Sequence, residues 1–261
     1  MYQGFYNLAS GMLTQGRNLN VISNNMVNVQ SAGYKSERML SSTFQEEMLY
    51  RTGKHKGGVQ EALSTTSKIR TATEIHVDYD PGSMELTDGI FDFALGGKGF
   101  FCVDTPNGER YTRNGAFSVD EDGYLILNKV GRVLTADNQP IVIDNENFFV
   151  DGQGNITVAE VTEEGAEEAQ ARSLGKLKVV DFDDYEQLKK EDYGVFSSAQ
   201  EARVLEGGDE HVSWKMLEKS NVDMVEEMTA MMTSQRALQS AAQMLKMYDQ
   251  IMSKAVDVGR I

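Results

Sequence analysis

The chain has few of the residues that usually carry chemistry. Of its 261 residues one is cysteine, Cys102, and three are histidine, His55, His76 and His211. A lone cysteine makes no disulfide within the chain, so the redox compartment stays open. No histidine stands at ligand spacing from another or from Cys102. Zinc sites built from His and Cys need such clusters, so no metal site is expected. Basic residues are outnumbered, 25 Lys and Arg against 40 Asp and Glu, for a net charge of −15. Phosphate binding needs a basic face, so nucleic acid is not an expected partner. No apolar run reaches about 18 residues, which excludes a membrane-inserted helix. The N-terminus lacks a basic stretch followed by a pure apolar one, so a cleaved secretory signal is not expected.

Catalytic patterns are missing too. Gly96-Gly97-Lys98-Gly99 looks faintly like a phosphate loop, but Gly follows the Lys where Ser or Thr is needed. A glycine-rich β turn is the simpler reading. No Gly-x-Ser-x-Gly elbow occurs. Asp78/Asp80, Asp120/Asp122 and Asp183/Asp184 are pairs of the kind that chance supplies among 40 acids. None stands out for acid–base work, and Asp120–Gly123 lacks the rest of a calcium loop. The expectation is a non-enzyme with no cofactor.

What is present is periodicity at the two ends. Phe5, Met12, Leu19 and Met26 recur every seven residues, as do Leu8, Gln15, Ile22 and Val29, all apolar but Gln15. That is a coiled-coil seam. Gly33 suits a left-handed stop after the helix. Gly11 and Gly16 lie inside it, each costing about 1 kcal/mol relative to Ala, so the helix is expected to fold only when packed. Residues 1–34 hold one charge, Arg17. At the other end Met224, Met231, Leu238, Leu245 and Met252 form an unbroken row in a helix predicted over 221–258, with Ser220 as N-cap. Ala241, Tyr248 and Ala255 flank that row.

Between the ends, residues 35–70 show no sustained period and read as an extended linker, with a polar loop at Gly53–Gly58. Phe44, Met48 and Leu49 suggest a short helix or an anchor. Residues 71–210 read as β-rich. Phe91–Val103 is strand, glycine break, strand, and the dipeptides Asn107-Gly108, Asn114-Gly115, Asp122-Gly123 and Asp151-Gly152 suit tight turns. Glu160–Glu168 reads as a solvated loop. The fold class is therefore α+β: terminal helices forming a coiled-coil layer, residues 1–34 and 215–261, around an antiparallel all-β domain.

A Met/Leu stripe is more often plain core than an assembly surface. Here the stripes sit at opposite ends, and the first helix is almost uncharged. A wet helix face usually carries charge, whereas Asn, Gln and Ser suit burial among hydrogen-bonding neighbours. A neutral face also avoids stacking like charges in a homopolymer. Assembly is therefore favoured over an intramolecular hairpin. The residues assigned to the interface are Leu8, Met12, Leu19, Ile22 and Met26 against Met224, Met231, Leu238, Leu245 and Met252. Asn24, Asn25 and Asn28 are expected to cap or bridge between helices.

Ser23-Asn24-Asn25-Met26-Val27-Asn28-Val29-Gln30-Ser31-Ala32-Gly33-Tyr34-Lys35 resembles a signature of the rod-and-hook proteins of the bacterial flagellum, an Asn-Asn-x-x-Asn…Gly-(Phe/Tyr)-(Lys/Arg) pattern. Phe93–Val103 with Tyr111–Phe117 and Asp120–Leu125, and Ser220–Met228 with Gln235-Arg236-Ala237, agree in order. Length and the segment from Lys35 to Phe91 fit the distal-rod type first and the proximal-rod type second. Met26-Val27 departs from the usual Leu-Ala, and residues 160–210 hold no landmark. The resemblance implies a homo-oligomeric helical tube with an inner helical layer and an outer β layer. It implies other flagellar rod and hook proteins and the type III export apparatus as partners, with export unfolded and without a cleaved signal. It implies a place in the basal body outside the cytoplasmic membrane, and a mechanical task of passing torque from motor to hook. Alternatives are a hook-type subunit, a glycan-binding or glycan-cleaving β domain, and a non-polymeric adapter.

Overall fold

A computed structural model describes residues 2–43, 46–51, 61–67, 70–143, 148–159, 171–205 and 211–258. The expected loops at Gly53–Gly58 and Glu160–Glu168, and Phe44, lie outside these. The chain divides into two compact units. The first comprises residues 1–27, 37–78 and 223–261, and the second residues 28–36 and 79–222.

The first unit holds both helices. α1 runs Tyr2–Val27 and α2 runs Met224–Val258. The expected helix from 221 starts later, because Asp223 caps it and Ser220 does not. The Asp223 carboxylate accepts from the N–H groups of Val225 at 2.8 Å and Glu226 at 3.2 Å. These are two of the donors that the first helical turn leaves unpaired. The Ser220 hydroxyl instead accepts from Val222 N–H, in a turn.

Much of the segment expected as a linker is paired strand. Glu37–Thr43 pairs antiparallel with Arg70–Val77, and Glu46–Arg51 with Glu61–Ser67. Met48 and Leu49 therefore lie in strand, not in a short helix. Seven- and eight-residue strands leave no clear period-2 stripe here. Leu40 and Ile75 are half-exposed, and the register shifts at Leu40/Ser41 and Leu49/Tyr50, which breaks the alternation a pattern search relies on.

The second unit is built mainly of strands, with short 3-10 turns at Tyr185–Gln187 and Asp192–Gly194, and the strand pairings among its described residues are antiparallel. Phe100–Thr105 lies at the centre of a nine-stranded sheet. It pairs with Gly108–Thr112 on one side and with Gly131–Val133 and Val179–Asp181 on the other. Phe93, Phe101, Val103, Leu125, Ile156 and Val179 are among the side chains of its core. Of the four turn dipeptides, Gly108 and Gly123 have positive φ as expected. Gly115 does not. A Cβ there would lie 1.8 Å from the Phe93 carbonyl oxygen, so close strand approach, not turn geometry, calls for glycine. After Asp151 the left-handed residue is Gly154, not Gly152. The last strand of the unit, Met216–Glu218, returns to pair with Met84–Leu86.

Candidate assembly site

The two helices of the first unit run antiparallel in a regular register. Residues of α1 spaced by seven face residues of α2 spaced by seven. A Cβ at Gly4 would rest 3.8 Å from the Tyr248 ring. Gly11 and Ala241 line one cavity. Asn18 Nδ2 donates to Ser234 Oγ at 3.1 Å. Asn25 Nδ2 donates to Glu227 Oε1 at 2.7 Å. Asn25 is 1% exposed, and it also binds the strand that begins at Glu37. Its Oδ1 accepts from Glu37 N–H at 3.0 Å and its Nδ2 donates to Glu37 carbonyl at 2.8 Å. It therefore ties α1 to α2 and to the strand at once.

Around this ladder lie the rows assigned from sequence. Leu8, Met12, Leu19 and Met26 are half-buried and Ile22 is buried. On α2, Met231, Leu238, Leu245 and Met252 are half-buried, while Met224 is exposed. The three asparagines divide. Asn25 bridges the helices. Asn28 holds the turn after α1, accepting from Ser31 Oγ at 3.1 Å. Asn24 is exposed and lines a cavity of about 450 Å3 with Arg17, Glu37 and Glu74.

The second unit contains a buried polar node that sequence reading missed. Glu218 is 1% exposed. Its Oε1 accepts from Lys35 Nζ at 2.7 Å and from Gly82 N–H at 3.0 Å. Its Oε2 accepts from Arg113 Nη1 at 3.2 Å. Its backbone carbonyl accepts from Gly33 N–H at 2.7 Å. Lys35, also 1% exposed, donates in addition to the Asp80 carbonyl. Arg113 donates to the Gly97 carbonyl and lies 5.4 Å from the Phe100 ring centroid. Lys190 Nζ sits 3.8 Å from the Tyr34 ring centroid and donates to the Lys35 carbonyl. Asn221 accepts from Ser36 N–H and donates to the Asp80 carbonyl.

The node gives the Gly33-Tyr34-Lys35 triplet a physical reason. Gly33 has φ +66°, and a Cβ there would lie 2.3 Å from the Arg113 carbonyl carbon. Tyr34 is buried under a cation and Lys35 is a buried half of an ion pair. Ser36, Asp80 and Asn221 each stand within two residues of a point where the chain leaves the unit, so three of the four exits are tied together within it. No local signal marks Glu218, because Lys35, its partner in the buried ion pair, is 183 residues away. Lys190 falls in the stretch without landmarks.

Charge separates along the same division. The first unit carries eleven acidic and eleven basic residues, net zero. The second carries twenty-nine acidic and fourteen basic ones, so it holds the whole −15. Among the described residues no group of three or more His, Cys, Asp or Glu could hold a metal ion, and no helix is long and apolar enough to cross a membrane.

Paired terminal helices in a neutral unit, joined by four chain crossings to an acidic β unit, define a structural subunit whose ends are kept together for packing. Comparison with known proteins agrees. Residues 94–165 match the family model described as flagellar hook protein FlgE/F/G D1 domain, and residues 215–258 match flagellar basal body rod FlgEFG protein C-terminal. The chain is 30% identical to the flagellar basal-body rod protein FlgG of Agrobacterium fabrum, over 94% of this chain and 95% of that protein. It is 28% identical to the flagellar hook-basal body complex protein FlhO of Bacillus subtilis over the full length of both. It is also 28% identical to the basal-body rod protein FlgF of Caulobacter vibrioides, over 97% and 96%. The chain belongs to the flagellar basal-body rod and hook protein family, whose members are structural components of the flagellum.

Proposed function

We propose that this chain is a rod subunit of the flagellar basal body that polymerises with copies of itself through its paired terminal helices and passes torque along the axis. Family membership supports the rod. The neutral helical unit supports the mode of assembly, because stacked copies of that unit bring no net like charge together. The β unit, at net −15, would repel its own copies at close range and suits an outer layer spaced by solvent. Salt would weaken that repulsion over roughly 8–10 Å.

Residues assigned to the interface are the seam rows, Leu8, Met12, Leu19, Ile22 and Met26 with Met224, Met231, Leu238, Leu245 and Met252, supported by Asn24, Asn25 and Asn28. A helix with interior glycines and an Asn-rich face folds only on docking, which suits export as an unfolded chain through the flagellar type III apparatus, to a site outside the cytoplasmic membrane. Other rod and hook proteins are the neighbours at each end. Deletion of residues 1–30 tests the reading. The expected product is a soluble, β-rich monomer that neither assembles nor restores motility to a strain lacking the gene. Normal motility with that deletion would overturn it.

A further inference from the structure

Lys35, Arg113 and Lys178 are the buried cations among the described residues. Lys35 and Arg113 share Glu218 and backbone carbonyls. Lys178 meets a different set. Its Nζ donates to Glu109 Oε1 and to Asn138 Oδ1, both at 2.6 Å, which is short for such bonds. Three separate segments of the second unit fix these side chains. Lys178 is held by its backbone, whose N–H donates to the Leu134 carbonyl and whose carbonyl accepts from Cys102 N–H. Glu109 stands on the strand Gly108–Thr112, paired with Phe100–Thr105. Asn138 has φ +59° in a turn in which Thr135 N–H donates to the Gln139 carbonyl and Asn138 N–H to the Thr135 carbonyl. The Lys178 side chain lies inside, 8% exposed, the Glu109 side chain is 33% exposed, and Asn138 stands at the surface.

An amine touching both a carboxylate and a carboxamide has every group that an isopeptide bond requires. We propose that Lys178 and Asn138 become joined covalently after folding, with Glu109 as the base. Glu109 takes a proton from Nζ. A small rotation of the Asn138 amide brings its Cγ to that nitrogen, and the Nζ lone pair attacks. The Nζ–Cγ bond forms and the Cγ–Nδ2 bond breaks, its electron pair leaving with Nδ2. Two protons pass from Nζ through Glu109 to Nδ2, which departs as ammonium at the exposed end of the site, and Glu109 is again a carboxylate. The step consumes no oxidant and no cofactor. Its source of rate is proximity: the fold holds at bonding distance an amine and an amide that react only slowly when free in solution. The link closes residues 138–178 into a loop that contains the strands Phe148–Val150, Asn155–Ala159 and Ala171–Lys176, which form one sheet. A cross-link of this kind removes freedom from the unfolded chain, and a load crossing that sheet meets a covalent bond. This suits a subunit under torque, but the chemistry does not depend on the rod reading.

The test is the mass of the folded full-length chain after overnight incubation. Denatured and measured intact, wild type is expected to be lighter than its sequence by one ammonia. Protease digestion should then release one branched peptide that joins the Asn138 and Lys178 segments, identified by fragmentation. Lys178→Arg keeps the charge and Glu109→Gln keeps the shape, and each should show its full sequence mass. Wild type at full mass, with Asn138 and Lys178 in separate unmodified peptides, would overturn the proposal, whether or not the variants fold. An ammonia loss that persists in Lys178→Arg would overturn it too, because the loss then belongs to another residue. A loss that persists in Glu109→Gln, with the branched peptide present, would overturn Glu109 as the base. None of these results depends on whether the chain polymerises, so failure here leaves the rod reading where it stands.

Discussion

Glu218 offers the sharpest test of what holds the second unit together. It is 1% exposed and balances Lys35 and Arg113, which are 1% and 4% exposed. Replacing it by Ala leaves two buried cations facing one another without their anion, and removes the acceptor of Gly82 N–H. Breaking a buried ion pair by deleting one partner costs about 3–5 kcal/mol. For a domain of about 150 residues each kcal/mol shifts Tm by about 2–4 °C, so the expected fall is roughly 6–20 °C. Gln at 218 should approach the lower end of that range. Its carbonyl can still accept from Lys35 or Gly82, but its amide donors would face Arg113, which has only donors to offer.

The assay has a built-in reporter. Trp214 is the only tryptophan, its indole N–H donates to the Ile90 carbonyl at 2.7 Å, and it lies in the second unit. Tryptophan fluorescence of the full chain during heating therefore follows this unit. Lys35→Met with Glu218→Ala should cost less than the sum of the two single variants, by roughly 1–3 kcal/mol, because the residues share one contact. A Glu218→Ala loss below about 1 kcal/mol, or strict additivity with Lys35→Met, would refute the reasoning.

Four further outcomes are expected. Gly33→Ala should destabilise the same unit by at least about 1–2 kcal/mol, the cost of left-handed backbone for a residue with a Cβ, and more where that Cβ displaces the Arg113 backbone; Trp214 fluorescence during unfolding measures it. Gly16→Ala should stabilise α1 by about 1 kcal/mol, since a Cβ there meets nothing within 4 Å, and far-ultraviolet circular dichroism on heating checks it. Asn25→Ala should cost about 1–3 kcal/mol by removing the buried side chain that bonds Glu227 and the half-buried Glu37 backbone groups, read as loss of α1 helicity at a lower temperature. Alkaline pH should weaken the second unit. Burial, with Glu109 nearby, pushes the Cys102 thiol up, and burial with Glu109 pushes Tyr111 up to about 12; burial and the hydrogen bond to Asp181 raise Tyr185. Raised acids stay protonated in the fold, so their stabilisation is whole below the ordinary thiol and phenol values of about 8.5 and 10 and fades as pH climbs through the raised ones. Denaturant midpoints measured from pH 7 to 11 should fall, and fall less for Tyr185→Phe.

The parts legible in the sequence were those set by local period or local turn chemistry. The seven-residue rows placed both helices, but the first ends at Val27, six residues before the expected stop at Gly33, whose left-handed backbone instead serves its contacts with Arg113 and Glu218. The central strands at 93–95 and 100–105 followed from apolar runs around a glycine break. What stayed hidden was set at a distance. The two strand pairs between Glu37 and Val77 have register shifts, and Leu40 and Ile75 are half-exposed, so no alternation announces them. The antiparallel ladder uses Gly4, Gly11, Asn18 and Asn25, small and polar residues that a search for apolar seams passes over. Glu218 and Lys190 look like ordinary charges until Lys35 and Tyr34 are brought against them. Gly-Tyr-Lys was recognisable as a family signature, but its reason lay 183 residues further on.

That distance bears on the order of folding. Gly33 and Lys35 bond to Glu218, and Ser36 to Asn221, so the N-terminal junction completes its contacts only when nearly the whole chain is available. Until then α1 has neither its anchor at residues 33–36 nor its partner α2, and its interior glycines and asparagines keep the isolated helix weak. α2 differs: it is capped by Asp223, carries Glu226 and Glu227 in its first turn, and contains no glycine or proline. The two ends are unequal for a physical reason. The end made first waits for the end made last, and the α1–α2 pair with its Asn18–Ser234 and Asn25–Glu227 bonds forms only once both ends are present.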